Sequence, residues 1–181
     1  EVQVFNGTTW TNLIGGAATE FQPAVGDSYQ GGIIAYIFQP GDPGYDSNVP
    51  HGIIAAPNDQ SSGAKWGCDG TVISGADGTA IGTGAQNTID IEAGCTTTGI
   101  AADICANLIL GGYSDWYLPS KSELSKLYTN KNDIGGFSNN DVYWCSTEED
   151  DNSSEGLFFN NGVYYSTPKY YSMRVRAIRN F

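Results

Sequence analysis

The run Asp115-Trp116-Tyr117-Leu118-Pro119-Ser120, followed at once by Lys121-Ser122-Glu123-Leu124, fixes a strand–turn–helix corner. An extended aromatic segment can reach only to Pro119, which has no N–H to give to a ladder. Ser120 and Glu123 stand at the Ser-x-x-Glu spacing of a capping box. There the serine oxygen takes a free N–H of the first turn and the glutamate reaches back to the cap's own N–H. Leu124, Leu127 and Tyr128 follow at i, i+3 and i+4, which predicts a helix over 120–130 that buries one face. Trp116, Pro119, Ser120 and Glu123 are therefore structural residues. Nothing in the corner resembles catalytic chemistry, so function must be sought elsewhere.

The 181 residues suffice for one domain with a sizeable core and a small appendage. Charge is sparse, with 8 basic against 20 acidic side chains (net −12), whereas glycine (24) and tyrosine (11) are plentiful. That balance favours loop-rich β structure over a helical bundle. It argues against nucleic acid as a partner, because phosphate binding needs a basic face, and against an anionic membrane surface. No stretch approaches the roughly 20 apolar residues of a membrane span. The chain begins at Glu1 without a charged-plus-apolar leader and reads as a mature or excised fragment. Cys68, Cys95, Cys105 and Cys145 lie at irregular spacings with a single histidine, which disfavours zinc and favours one or two disulfides in an exported protein. The pairing stays open: Cys95 with Cys105 would staple the start of a helix and leave Cys68 and Cys145 over.

Along the chain, residues 1–14 read as a separate hairpin in which Val2, Val4, Trp10 and Leu13 flank Asn6-Gly7. Such a ribbon is marginal alone and would serve as a stalk or oligomerisation element. Residues 15–27 look like a linker, and 28–181 form the main domain. Short strands are expected over 33–38 and 52–56, then a long loop over 57–98 around Trp66. A helix is expected over 99–110, with Ile100, Ile104, Cys105 and Leu108 on one stripe. Strands follow over 142–147, over 157–159 and 163–165 around Asn161-Gly162, and over 171–179, where Met173, Val175 and Ala177 alternate with Ser172, Arg174 and Arg176. The expected layout is α+β, with two helices, long loops and a C-terminal antiparallel sheet.

Several of these pieces occur together in a recognisable order: Gly32-Ile33-Ile34-Ala35-Tyr36, His51-Gly52-Ile53-Ile54-Ala55-Ala56-Pro57, Trp66-Gly67-Cys68, Asp115 to Ser120, and the closing Val175-Arg176-Ala177-Ile178-Arg179. Over about residues 28–181 they resemble the DUF1566 domain, also called the Lcl C-terminal domain. The resemblance implies a C-type-lectin-like fold of the formylglycine-generating-enzyme subtype. It also implies a bacterial or phage surface protein, several relatives being trimeric ligand-binding adhesins at the end of longer stalks. Many relatives have Trp-Ser-Ser where this chain has Trp144-Cys145-Ser146, so Cys145 reads as buried and free.

The expected function is a non-catalytic, extracellular adhesin or receptor-binding module that takes a glycan or a host or cell-surface protein. The alternative is a structural subunit of a filament or phage fibre, trimeric or polymeric, assembled through the N-terminal hairpin. Candidate ligand contacts are Asn139, Asn140, Tyr143, Asn152, Asn160, Asn161, Tyr164, Tyr165, Tyr170 and Tyr171, a Tyr/Asn composition shared with antibody paratopes. The same residue types also fill ordinary strands and turns. Glu148, Asp150 and Asp151, in a run of acids, offer hard oxygens to calcium, the one cofactor suggested. The commoner use of such a run is a solvated loop. Asp69, Asp77 and Asp90 are a weaker second choice. Arg174, Arg176 and Arg179 could form an anion pocket, but an alternating strand more simply pairs Arg174 and Arg176 with carboxylates such as Asp115. His51 has no serine or cysteine tied to it by sequence, so no catalytic role is expected.

Overall fold

The computed structural model describes residues 3–5, 10–12 and 22–181. Strands β1 (Gln3–Phe5) and β2 (Trp10–Asn12) pair antiparallel from Gln3↔Asn12 to Phe5↔Trp10. The expected Asn6-Gly7 turn between them, Val2, Leu13 and linker residues 15–21 lie outside the described residues.

The fold is α+β. An antiparallel four-stranded sheet runs in the order β11 (Ile178–Asn180), β5 (Gly52–Ala55), β4 (Gly32–Ile37), β3 (Ser28–Tyr29). A five-stranded sheet runs β6 (Ser61–Ala64), β10 (Met173–Val175), β7 (Val142–Glu148), β8 (Ser153–Phe158), β9 (Val163–Pro168). This second sheet is mixed rather than antiparallel, because β10 lies parallel to β7. The expected single strand over 171–179 is two strands in two sheets. Arg176 and Ala177 carry the chain between them, and Ala177 O accepts from Ala56 N at 3.0 Å. Strands β5 and β7 are buried on both faces. Ile53, Ala55, Tyr143 and Cys145 point into one core with Leu124, Leu127 and Phe159, while Ile54 and Trp144 point into the other with Trp66, Ile91 and Trp116. Each fully buried side chain of this size contributes about 1.5–3 kcal/mol.

Helix α3 (Lys121–Thr129) begins as the sequence requires. Ser120 Oγ accepts from Glu123 N at 3.4 Å, and Ser120 N donates to Glu123 Oε2 at 2.8 Å. The buried Glu123 carboxylate also accepts from Gly82 N and from Tyr117 OH, and so ties the preceding loop to the corner. A Cβ at position 84 would stand 2.2 Å from Glu123 Oε2, so only glycine lets the chain pass there.

Two expectations are corrected and the open disulfide pairing is resolved. The helix expected over 99–110 is α2 (Ala101–Ala106), six residues long. Leu110 and Tyr113 then exchange backbone bonds across Gly111-Gly112, where positive φ at both glycines turns the chain back. The loop expected over 57–98 contains β6 and helix α1 (Gly84–Gly94), and a short α4 (Lys131–Ile134) follows α3. The disulfide joins Cys68 to Cys95 rather than Cys95 to Cys105; Cys105 and Cys145 are free and buried.

Candidate functional site

The β7–β9 region divides the ten candidate contacts into interior and surface groups. Tyr143 is wholly buried, its ring centroid 4.3 Å from that of Phe159. Its hydroxyl donates to Asp59 Oδ2 at 2.9 Å and accepts from Ser138 N at 2.8 Å, and burial pushes the phenol up to about 12. Tyr143 is therefore a core residue, because the alternation of β7 turns it inward. Tyr164 is half-buried; its hydroxyl meets Lys121 O and Ser125 Oγ, with the Lys121 ammonium 5.0 Å above the ring. It braces β9 on α3, and burial raises its phenol well above the ordinary value.

The remaining eight are exposed. Asn139, Asn140, Asn160 and Asn161 gather at the β8–β9 hairpin end, where Asn160 Nδ2 donates to Asn140 Oδ1 at 3.3 Å and Val163 N to Asn161 Oδ1 at 3.0 Å. The hairpin loop spans 159–162. Gly162 N donates to Phe158 O at 2.8 Å, and of the Asn161-Gly162 pair only glycine takes positive φ. Asn152 lies at the opposite end, where its carbonyl accepts from Lys169 N. Tyr165 (47 % exposed) stands on β9. Tyr170 (52 %) and Tyr171 (47 %) follow that strand and pack edge to face with centroids 4.9 Å apart.

The side chains of the acidic run do not close around a common centre. Among the described residues no group of three His, Cys, Asp or Glu side chains converges as metal ligands would. Glu148 points inward instead, its carboxylate accepting from Ile73 N at 2.9 Å and lying 2.5 Å from the buried Lys169 ammonium. That ammonium also donates to Thr71 O (2.8 Å) and Asp151 O (3.0 Å) and sits 4.9 Å over the Trp66 ring. The Glu148 carboxylate, with the Thr71 and Asp151 carbonyls, thus already holds a cation, the Lys169 ammonium. Asp150 Oδ1 accepts from Asn152 N and Ser153 N, and the Asn152 amide holds it below the usual carboxylate range. Asp151 Oδ1 accepts from Asn152 Nδ2 at 2.6 Å. Of the second choice, Asp90 accepts from Gln86 Nε2 at 3.0 Å.

Compared with protein-family models the chain matches none, and no curated protein matches it.

The arginines are structural, but with other partners than expected. Asp59 joins two of them: Oδ1 meets Arg176 Nε at 2.8 Å and Oδ2 meets Arg174 Nη1 at 3.0 Å. Arg174 Nε also reaches Asp141 Oδ2 at 2.6 Å. Arg176 is fully buried, donates to Ala56 O and Gly136 O, and stacks 4.0 Å over Phe137. Asp115 pairs with Arg179 at 2.7 and 2.9 Å, not with Arg174 or Arg176. Nothing local in the sequence marks Asp59: Tyr143 lies 84 residues away and its arginine partners more than a hundred.

Cys145 Sγ donates to Glu155 O at 3.1 Å, and burial raises its thiol to about 12. Burial raises Cys105 further still. Both are held as thiols, the unreactive form. His51 Nδ1 lies 3.1 Å from Phe181 O. Each of these groups is taken up by a contact within the fold. Of the candidate contacts, Tyr165, Tyr170, Tyr171 and the amides are the ones that face solvent.

Proposed function

We propose that the chain is a non-catalytic binding module, C-type-lectin-like in fold, that takes a glycan or protein ligand on the surface bearing Tyr165, Tyr170 and Tyr171. The observation that carries this reading is the half-exposure of these three rings, on a sheet and turn pinned by the Lys169 cage, while Tyr143 and Tyr164 are used internally. Rigid tyrosines lose little entropy on binding, and their faces suit the apolar faces of sugars, with Asn152 and the hairpin amides supplying hydrogen bonds. The disulfide and the DUF1566 resemblance support an extracellular place, at a bacterial surface or on a phage virion.

A glycan array probed with the purified chain, with and without calcium, tests the reading. Tyr165→Ala, Tyr170→Ala and Tyr171→Ala are then titrated against the best hit. At least one variant is expected to bind about tenfold more weakly, a change of about 1.4 kcal/mol. Unchanged binding by the triple variant, with a wild-type melting curve, overturns it. The paired strands β1 and β2 support a second reading, a fibre or filament subunit. Light scattering on chains with and without residues 1–27 separates the two.

A further inference from the structure

Strand β9 ends the five-stranded sheet, and its hydrogen-bonding direction follows from its neighbours. Phe159 N donates to Asp141 O, which places the bonded rungs between β7 and β8 at 141/159 and 143/157. Leu157 thus bonds toward β7, while Gly156 and Phe158 bond toward β9. From the other end, Lys169 N donates to Asn152 O, and steps of two again give Thr167, Tyr165 and Val163 as the residues bonded to β8. Both routes leave Tyr164 and Ser166 turning their N–H and C=O groups outward. Six consecutive pairs run without a register shift. The strand Val-Tyr-Tyr-Ser-Thr-Pro carries no charged side chain, and Val163 (45 % exposed) and Tyr165 lie open on its face. Natural sheets blunt free edges with charges, bulges or a covering element. Among the described residues, this edge has only Pro168, at its last position.

The geometry points to β9 as a self-association edge, on which a second copy of this chain adds its own β9 antiparallel about a two-fold axis at Tyr165. Tyr164 of each copy then exchanges backbone bonds with Ser166 of the other, making one ten-stranded sheet. The two Tyr165 side chains meet as a non-hydrogen-bonded pair, with Cβ atoms about 4.5–5.5 Å apart. Charge selects this arrangement. A molecule of net −12 can approach its own copy only where it is uncharged, and β9 is such a place. The antiparallel fit sets the acidic 149–151 turn of one copy beside the 159–162 turn of the other, where Lys131 Nζ lies 2.5 Å from Phe159 O. It also holds the two acidic turns more than about 20 Å apart, at least two Debye lengths. A parallel fit would bring them together. This inference does not rest on the ligand reading above.

The test is light scattering on the full chain over a range of concentrations, with hydrogen exchange at the Tyr164 and Ser166 amides. Wild type is expected to pass from monomer to dimer, with both amides protected only in the dimer. Ser166→Pro removes an outward N–H without touching the rungs to β8 and should leave a monomer with a wild-type melting temperature. Tyr165→Lys should weaken the dimer at least about tenfold. Ser62→Lys, on the sheet's opposite edge strand β6, should change nothing. Three results each overturn the proposal: a monomer at every concentration with fast-exchanging edge amides, a monomer whose edge amides are already protected by another segment, or an oligomer that persists in both β9 variants.

Discussion

The Lys169 ammonium lies 2.5 Å from the Glu148 carboxylate, with Lys169 fully buried and Glu148 nearly so. The pair ties the 148–153 turn, the start of the tyrosine segment and the 71–73 loop to one point. Lys169→Met would keep most of the stem packing but strand Glu148 without its counter-charge. Breaking one side of a buried pair costs about 3–5 kcal/mol, so urea unfolding should show a loss of that order. For the same reason, calcium or a chelator should leave the wild-type melting temperature unchanged, because the ammonium occupies the oxygen cage. A calcium-induced rise in melting temperature would show that the ion binds another part of the chain.

The Ser120–Glu123 cap, the β4 and β5 strands and the helix behind Pro119 were legible because local chemistry decides them. Helix α1 was not, although its buried positions Gly84, Asn87, Thr88 and Ile91 fall at i, i+3, i+4 and i+7. The stripe is helical in spacing but polar in composition. Asn87 is satisfied by Gly78 O and Ser146 Oγ, and Thr88 Oγ1 accepts from Leu118 N, so hydrogen bonds replace hydrophobic contact. A search for apolar periodicity passes over it. The candidate site was legible in its composition and not in its orientation. Tyr143 and Tyr165 look alike in sequence, but the register places them on opposite faces, and Tyr165 lies on the edge strand, so one ring enters the core and the other faces solvent.

Acid should first help this fold and then harm it. Burial raises Glu123 above its ordinary value of 4.5, so its contribution is fully present below 4.5 and is lost as pH rises through the raised folded value. Asp115 is lowered from 3.8 by the hydrogen bond from Arg179, and Asp141 by those from Ser138 and Arg174. Their contribution is present above 3.8 and is lost as pH falls through their depressed folded values. It is small, since both carboxylates are largely solvated. Melting temperature measured against pH should therefore rise from neutrality toward 4.5 and fall below 3.8. Glu123→Gln should flatten the rise, and a variant that keeps the full slope would assign it to other groups.

Closing the 27-residue separation between Cys68 and Cys95 restrains the unfolded chain by about 3.5 kcal/mol in the chain-entropy account. The double variant Cys68→Ser/Cys95→Ser should lose stability of that order. Under non-reducing conditions the native protein should show no thiol reactive toward an aromatic disulfide reagent. Denaturant should release two, Cys105 and Cys145. A fast-reacting native thiol would contradict the burial of one of them.

Tyr164 and Tyr171 separate bracing from binding. Tyr164→Phe deletes the hydroxyl that meets Lys121 O and Ser125 Oγ and leaves the ring packed against α3. It should lower stability by about 1 kcal/mol, the usual net worth of such a bond, and leave ligand affinity unchanged. Tyr171→Ala removes a half-exposed ring that packs on Tyr170. Its stability should stay within about 0.5 kcal/mol of wild type, while affinity for an array-identified glycan falls. Measuring both quantities on both variants gives a crossed pattern if the surface reading is right. Loss of affinity in Tyr164→Phe with none in Tyr171→Ala would move the binding surface from the 170–171 turn to the α3 side of β9.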